Sequence, residues 1–165
     1  MYAAEPSPGL EIRARPADED DFDLMETWIR KWSDRQILLP LEGGALRTAL
    51  PDFRVLSPAF GPRVVLAFGA LRRYSKRLGE IRSLVVADEW QGHGLGRRLV
   101  VDLLDEARLE GLRTVFVLAK TSGLFGALGF TLVPRESLPQ KVFVDCSLCR
   151  RRDSCDELAL VKELP

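Results

Sequence analysis

Apolar residues recur along the chain with two spacings, which distinguish strands from helices. Alternation or short apolar runs predict strands at residues 10–14, 53–56, 64–71, 81–86, 114–118, 131–133 and 158–164. Helical spacing predicts helices at 22–32, 42–50 and 122–128, and a long helix that begins at Leu95 and stops at Gly111. Helices and strands are therefore mixed around one sheet, and the predicted fold class is α/β or α+β.

The chain has the size and composition of one globular domain. Its 165 residues are 46% hydrophobic, and 24 basic and 24 acidic residues leave a formal net charge of zero. We therefore expect neither a nucleic-acid nor a membrane partner, and the longest uncharged apolar run, Val64–Leu71, is too short to span a bilayer. The first nine residues lack the pattern of a secretory signal and predict a flexible tail. Residues 10–165 predict a single domain, and the expected location is cytoplasmic.

Three glycines at alternate positions, Gly92, Gly94 and Gly96, lie between the strand at 81–86 and the long helix. A glycine loop in this setting favours an anion site, because backbone N–H groups at the helix start point outward and the helix dipole adds positive potential. A dinucleotide fingerprint would need glycine at position 97, which is arginine. A P-loop would need a Gly-Lys-Ser/Thr ending, which the sequence lacks.

The first turn of the long helix carries two cations, Arg97 and Arg98. Each opposes the helix dipole by about 0.3–1 kcal/mol, and a bound polyphosphate would remove that conflict. The alternative interpretation is that both arginines are solvated, with Arg98 paired to Asp102 one turn on. The single histidine, His93, lies between two of the glycines, and a loop histidine faces solvent more often than it catalyses.

Two motifs resemble the signatures of the GNAT acyltransferase superfamily. Gln91-Gly92-His93-Gly94-Leu95-Gly96 follows the apolar stretch EIRSLVVADEW, like the family's acetyl-CoA signature Gln/Arg-x-x-Gly-x-Gly/Ala. LFGALGF, at residues 124–130, is similar to the second signature, a short helix that ends in Gly-Phe before a strand. The resemblance implies a mixed, splayed central β-sheet that is flanked by helices on both faces and opens between residues 81–86 and 114–118.

The same resemblance implies acetyl-CoA as the cosubstrate. Its pantetheine arm would bond main-chain groups near Val85 and Val86, and its pyrophosphate would sit on the loop 91–96. The implied coenzyme-binding residues are Leu84, Val85, Val86, Gln91, Gly92, His93, Gly94, Leu95, Gly96, Arg97, Arg98 and Phe125.

The catalytic residues implied by the resemblance are Glu80 and Val85. Glu80 is similar to the glutamate that GNAT histone acetyltransferases use as general base, and the alternative is an ion pair with Arg82 on the same strand face. A main-chain N–H at Val85 or Val86 would stabilise the oxyanion. Phe125 stands where relatives often carry a tyrosine that protonates the leaving thiolate, so we expect direct transfer in a ternary complex with weak acid assistance.

The segment LPQKVFVDCSLCRRRDSCDELALV, residues 138–161, is similar to the short, stand-alone N-acetylglutamate synthases of arginine biosynthesis. This narrower resemblance implies the α-amino group of L-glutamate as the acceptor and, as in many relatives, a homodimer. Arg82 and Lys141 are the candidates for binding the acceptor carboxylates, with Arg72 and Arg73 behind them.

Leu41 stands where these synthases usually carry an arginine, and this departure keeps two other functions open. One is a GNAT acetyltransferase that acts on another amino acid, a polyamine or a protein amine. The other is a non-catalytic acyl-CoA-binding module, which the missing tyrosine at position 125 permits and the presence of Glu80 disfavours.

Three cysteines, Cys146, Cys149 and Cys155, lie within ten residues. An odd number in one cluster is not typical of a secreted disulfide framework. One interpretation is a zinc site through these thiolates, with Asp156 as a fourth ligand. The usual second pair of ligands is missing, so we expect no metal and three reduced cysteines that pack a loop.

Overall fold

Seven strands and four α-helices are found in the described part of the chain, residues 9–139, 143 and 155–165 of a computed structural model. The strands are β1 Ile12–Pro16, β2 Phe53–Pro58, β3 Ala67–Arg73, β4 Leu78–Val86, β5 Thr114–Ala119, β6 Thr131–Val133 and β7 Leu158–Glu163. The helices are α1 Phe22–Asp34, α2 Gly43–Ala49, α3 Leu95–Leu109 and α4 Gly123–Ala127. Every predicted element has its counterpart, and residues 1–8 of the predicted tail lie outside the described residues.

Two strand boundaries differ from the prediction. β3 begins at Ala67 and not at Val64, which is 43% exposed and lies in the connection from β2. β4 begins at Leu78 and not at Ile81, because Leu78 and Gly79 already pair with β5. Such ends depend on long-range pairing, which the local pattern does not contain.

The seven strands form one sheet in the order β1-β2-β3-β4-β5-β7-β6. The pairing of β4 with β5 is parallel, and the other paired neighbours run antiparallel. No helix in the described ranges is both long enough and apolar enough to cross a membrane.

The helices cover both faces of the sheet. Alternate strand residues point to opposite sides, and both sides carry apolar side chains that need to be buried. On one face the amphipathic α3 buries its apolar side against the sheet through Leu95, Leu99, Val100, Leu103, Leu104 and Ala107. On the other face, α1 and α2 pack over β2 and β3 through Phe22, Met25, Ile29 and Leu46. The predicted sheet flanked by helices on both faces is confirmed.

The sheet opens between β4 and β5. Their pairing consists of Leu78 with Thr114, Gly79 with Val115 and Glu80 with Phe116. Beyond Glu80, no described strand pairs with the edge of β4 that faces β5. The predicted opening between 81–86 and 114–118 is therefore present, and Glu80 lies at its closed end.

A β-bulge in β4 adds to this opening. Phe68 pairs with Val85 and Ala70 pairs with Arg82, so Ser83 and Leu84 together lie opposite the single residue Gly69. Ser83 takes a φ of 55°, which is uncommon for a residue with a side chain. A Cβ at Gly69 would lie 2.5 Å from Leu84 Cδ2, so a larger residue at this position would have to displace the Leu84 side chain.

Candidate active site

The loop before α3 has the backbone conformation that its glycines permit. Gly92 and Gly94 have φ angles of 81° and 79°, in the left-handed region, and Gly94 is the residue that immediately precedes α3. A Cβ at either position would meet no atom within 4 Å. Glycine is therefore favoured here by the positive φ angle and not by crowding from neighbouring atoms. The first amides of α3 follow directly, and such amides attract an anion.

The other loop residues have different environments. Leu95 is buried in the core, whereas the Gln91 amide donates a hydrogen bond to the carbonyl of Val86 at 3.3 Å. The half-buried ring of His93 lies 6.0 Å from the Trp90 ring, centroid to centroid. A Cβ at Gly96 would lie 3.9 Å from both Val86 and Leu124, so Gly96 lies between β4 and α4.

The two arginines at the start of α3 are both exposed, and their environments differ. The guanidinium of Arg98 donates to the carbonyl of Ile12 in β1. Asp102 pairs instead with Arg54, at 2.9 Å, so the alternative interpretation of an Arg98–Asp102 ion pair is wrong. Sequence spacing suggested that pair, but β1 and β2 supply the actual partners.

A cavity of about 250 Å³ lies beside the bulged half of β4. The C-terminal part of α1 and the segment after it form the opposite wall. Its lining residues are Trp32, Ile37, Leu38, Leu84, Val85, Val86 and Gln91. The wall is mostly apolar, and Gln91 is its one amide side chain.

The carboxylate of Glu80 lies at the closed end of the opening and is 7% exposed. The hydroxyl of Tyr74 donates a hydrogen bond to Glu80 Oε2 at 2.8 Å. Arg82 Nη1 lies 3.9 Å from the same oxygen, so the ion pair considered as an alternative is present at long range. Arg72 is directly opposite Glu80 in the pairing of β3 with β4. The structure thus gathers a buried acid, a hydroxyl and two guanidinium groups on one face of the sheet.

Tyr74 was not identified from the sequence. Its ring lies 5.7 Å from the ring of Phe116 in β5, and the guanidinium of Arg72 lies over it at 4.9 Å. Burial raises the pKa of Tyr74, and the neighbouring charge of Glu80 and the hydrogen bond to it raise it further. Tyr74 therefore stays protonated and donates to the carboxylate. The sequence signal was its spacing of two residues from Arg72, which places both side chains on the same face of the sheet although Tyr74 lies just after the end of β3.

Comparison with known proteins identifies the family. The model of the acetyltransferase (GNAT) family matches residues 15–131, most of the chain. The chain belongs to the GNAT family. An uncharacterised N-acetyltransferase of Chlorobaculum tepidum is 41% identical over 100 residues, 61% of this chain and 64% of that protein. An amino-acid acetyltransferase of Mycobacterium tuberculosis is 33% identical over 142 residues, 86% of this chain and 78% of that protein.

A solved structure of similar fold is the N-acetylglutamate synthase of Neisseria gonorrhoeae, complexed with coenzyme A and N-acetyl-glutamate. It aligns with a TM-score of 0.80 at 25% identity, over 94% of this chain. The GNAT domain described here spans 35% of that synthase and 64% of the Chlorobaculum relative. The predicted family and fold are confirmed, and acetyl-CoA-dependent acyl transfer is the chemistry of this family.

Three of the residues predicted for the site are described in other contacts or lie outside the described residues. Phe125 is 6% exposed and packs edge-to-face on Phe130, with 5.4 Å between ring centroids, so it is a core residue. Arg73 bonds Glu110 after α3 and lies 2.8 Å from Asp52, away from Glu80. Lys141 lies outside the described residues.

The predicted cysteine cluster is described only at one end, since Cys146 and Cys149 lie outside the described residues. Cys155 is exposed, and its Sγ lies 3.2 Å from the Arg135 guanidinium. Within residues 9–139, 143 and 155–165, no group of three His, Cys, Asp or Glu side chains forms a candidate metal site.

Proposed function

We propose that this GNAT domain transfers acetyl from acetyl-CoA to the α-amino group of L-glutamate by direct attack in a ternary complex. The observation that carries the proposal is the opening between β4 and β5, which ends at the buried Glu80. An opening of this kind exposes main-chain groups of β4 beside a carboxylate, and one ligand can reach both.

Acetyl-CoA would enter this opening with its thioester toward Glu80. The bulge at Ser83–Leu84 and the unpaired edge that follows it leave main-chain groups of β4 near Val85 and Val86 for the pantetheine arm. The first amides of α3 and the exposed Arg97 would hold the pyrophosphate. Arg98 would contribute less, because its guanidinium already donates to Ile12.

Glu80 would act as the general base. An amine substrate arrives mostly as ammonium and must lose a proton before it attacks the thioester carbonyl. Glu80 would accept that proton, directly or through a water, and a main-chain N–H at Val85 or Val86 would stabilise the oxyanion. Phe125 has no hydroxyl to protonate the leaving group, but a thiol with a pKa of about 8.5 leaves as thiolate at pH 7 at a cost of roughly 2 kcal/mol.

Two observations support glutamate as the acceptor. The Mycobacterium relative is named an amino-acid acetyltransferase, and the Neisseria synthase was solved with N-acetyl-glutamate. The guanidinium groups of Arg72 and Arg82 lie on the same face as Glu80, where a dicarboxylic substrate needs cations. A place in arginine biosynthesis, a homodimer and a cytoplasmic location are further parts of this proposal.

A second candidate function is acetylation of a different amine. The cavity beside Val85 is lined mainly by apolar side chains, among them Trp32 and Leu38, and Leu41 replaces the arginine of related synthases. These features favour an acceptor with an apolar portion.

One assay distinguishes these functions. Purified full-length chain is mixed with acetyl-CoA and one amine at a time, and release of the CoA thiol is followed. Glutamate-dependent release supports the proposal, and release with an apolar amino acid or a polyamine supports the second candidate. Calorimetric binding of acetyl-CoA without turnover on any amine would indicate a non-catalytic module, and absence of binding at millimolar acetyl-CoA would reject all three.

A further inference from the structure

The tight turn between β3 and β4 holds Tyr74 against the carboxylate of Glu80. We propose that Tyr74 is a positioning residue, whose hydroxyl orients the Glu80 carboxylate and favours its ionised form. This inference rests on the proposed function, in which Glu80 accepts the proton of the acceptor amine. Tyr74 would act through Glu80 and need not touch the substrate.

The turn is built to fix Tyr74 in place. The backbone N–H of Tyr74 donates to the carbonyl of Leu78 at 2.9 Å. The hydroxyl oxygen of Ser75 accepts the backbone N–H groups of Arg77 and Leu78, both at 3.1 Å. These bonds close the turn on itself, and the ring is held from the side by aromatic and guanidinium contacts. Tyr74 therefore presents its hydroxyl from a rigid backbone.

The pairing register explains why the hydroxyl reaches this carboxylate. Arg72 is directly opposite Glu80, and Tyr74 is two residues further along the same face, which makes it the diagonal neighbour of Glu80. A long aromatic side chain spans that diagonal, and the observed oxygen–oxygen distance of 2.8 Å is that of a normal hydrogen bond.

Within the described ranges, two strands bring charged groups to Glu80. Arg72 faces it from β3 and Arg82 lies beside it on β4, whereas the residue opposite it on β5 is the uncharged Phe116. The hydroxyl of Tyr74 differs from both guanidinium groups because it is neutral. It stabilises the carboxylate at short range and adds no further positive charge to a site that must also accept a proton.

The decisive variant is Tyr74→Phe, which removes the hydroxyl and keeps the ring. The titration of Glu80 is followed by NMR in protein with ¹³C-labelled glutamate carboxyls, and the Glu80 signal is assigned by its loss in Glu80→Gln. We expect the Glu80 midpoint to rise by about one pH unit in Tyr74→Phe, because the ionised form loses a donor. The acidic limb of the kcat/KM profile should move up by the same amount. At high pH, where Glu80 is ionised in both proteins, kcat should still be lower in Tyr74→Phe because the carboxylate has lost the donor that orients it, whereas the KM for acetyl-CoA should stay close to wild type.

The matched control is Tyr2→Phe, the same chemical change at the only other tyrosine of the sequence. It should move neither the NMR midpoint nor the activity profile. An unchanged Glu80 midpoint in Tyr74→Phe overturns the positioning role. Absence of turnover in the wild-type chain with every amine would reject the proposed function instead, and the NMR midpoint would still decide the role of Tyr74.

A reciprocal measurement covers the case in which Tyr74→Phe folds poorly. In the Tyr2→Phe background, tyrosinate absorbance reports Tyr74 alone. Adding Glu80→Gln should let Tyr74 ionise at lower pH, because a neighbouring negative charge is removed. An unchanged tyrosine titration would contradict the coupling of the two groups.

Discussion

The two buried carboxylates of the described chain, Asp21 and Glu80, are held in different ways. Asp21 is 2% exposed and accepts both Nη1 and Nη2 of Arg15, at 2.7 and 2.8 Å. It also accepts the backbone N–H of Asp18 and a guanidinium N–H of Arg63. Glu80 instead accepts a neutral hydroxyl at 2.8 Å, and the Nη1 of its neighbouring arginine is 3.9 Å away.

This contrast separates a structural carboxylate from one that is suited to chemistry. Asp21 ties β1 and the connection before β3 to the start of α1, and its many donors fix its charge. Burial alone would raise the pKa of Asp21, but the hydrogen bond and charge of Arg15, with Asp18 and Arg63, lower it overall. A carboxylate fixed by two guanidinium groups and a backbone N–H is a poor base. Glu80 has the neutral Tyr74 hydroxyl among its donors, which suits the proposed role in proton transfer.

The largest expected effect is that of Glu80→Gln on turnover. Removing a general base should lower kcat about 10³-fold, which is about 4 kcal/mol in the activation free energy. The unfolding free energy should change little, because glutamine can still accept a hydrogen bond. Steady-state thiol release measures kcat, and Glu11→Gln, at an exposed position of the N-terminal region, is the control. A loss of less than tenfold across the pH range would remove Glu80 from the role of base.

Asp21→Ala should have the opposite profile. Loss of the carboxylate leaves the mostly buried guanidinium of Arg15, 13% exposed, without its partner, so the unfolding free energy should fall by about 3 kcal/mol. Urea denaturation measures this loss. The exposed Asp20→Ala should change stability by less than about 0.5 kcal/mol. A large loss of kcat in folded Asp21→Ala, with little loss of unfolding free energy, would contradict the structural role of Asp21.

Gly69→Ala tests the strand geometry that places Glu80 at the opening. The new Cβ would lie 2.5 Å from Leu84 Cδ2 and 3.2 Å from Leu99 Cδ2, so overpacking should cost about 2 kcal/mol of unfolding free energy. Acetyl-CoA affinity should fall as well, because the bulged edge of β4 shifts. Gly44→Ala, in α2 with open space around the new Cβ, is the control and should be neutral or slightly stabilising. Equal stability of both variants would show that the bulge tolerates a side chain.

The smallest expected effect is in the pH dependence of stability. The folded-state pKa of Asp21 is lowered, so its stabilisation is fully present above the unfolded-state value near 3.8 and is lost as pH falls through the folded-state value. Urea midpoints between pH 6 and pH 2 should therefore fall less steeply in Asp21→Asn than in wild type, while Asp20→Asn should follow wild type. An equal dependence of the urea midpoint on pH in all three proteins would contradict the lowered pKa of Asp21.

The sequence was sufficient for the elements with strong periodicity. The apolar stripe of α3 and the glycines before it predicted both the helix and its preceding loop, because these signals are local. The opening of the sheet came from the family resemblance. Residue spacing alone does not say where β4 and β5 stop pairing.

Features that depend on register were missed. The bulge at Ser83–Leu84 had one local signal, the isolated Gly69 inside an apolar strand, which is typical of a bulge or a close approach. The Tyr74–Glu80 bond could be found only once β3 and β4 were aligned, since a shift of one residue would put Tyr74 on the other face. The Arg98–Ile12 contact joins residues 86 positions apart, and local spacing favoured the wrong partner.

The short pairing of β4 with β5 also has a mechanical consequence. In the described chain, three residue pairs join the β1–β4 portion of the sheet to the β5–β7–β6 portion. The apolar core under α3 packs against both portions on one face. Without ligand, the pairing between β4 and β5 should open locally at a lower free energy than global unfolding. Amide hydrogen exchange of the residues in these three pairs would measure that opening. A ligand bound between β4 and β5 would contact both portions of the sheet and stabilise the folded state. The Tm should therefore rise with the logarithm of the ligand concentration.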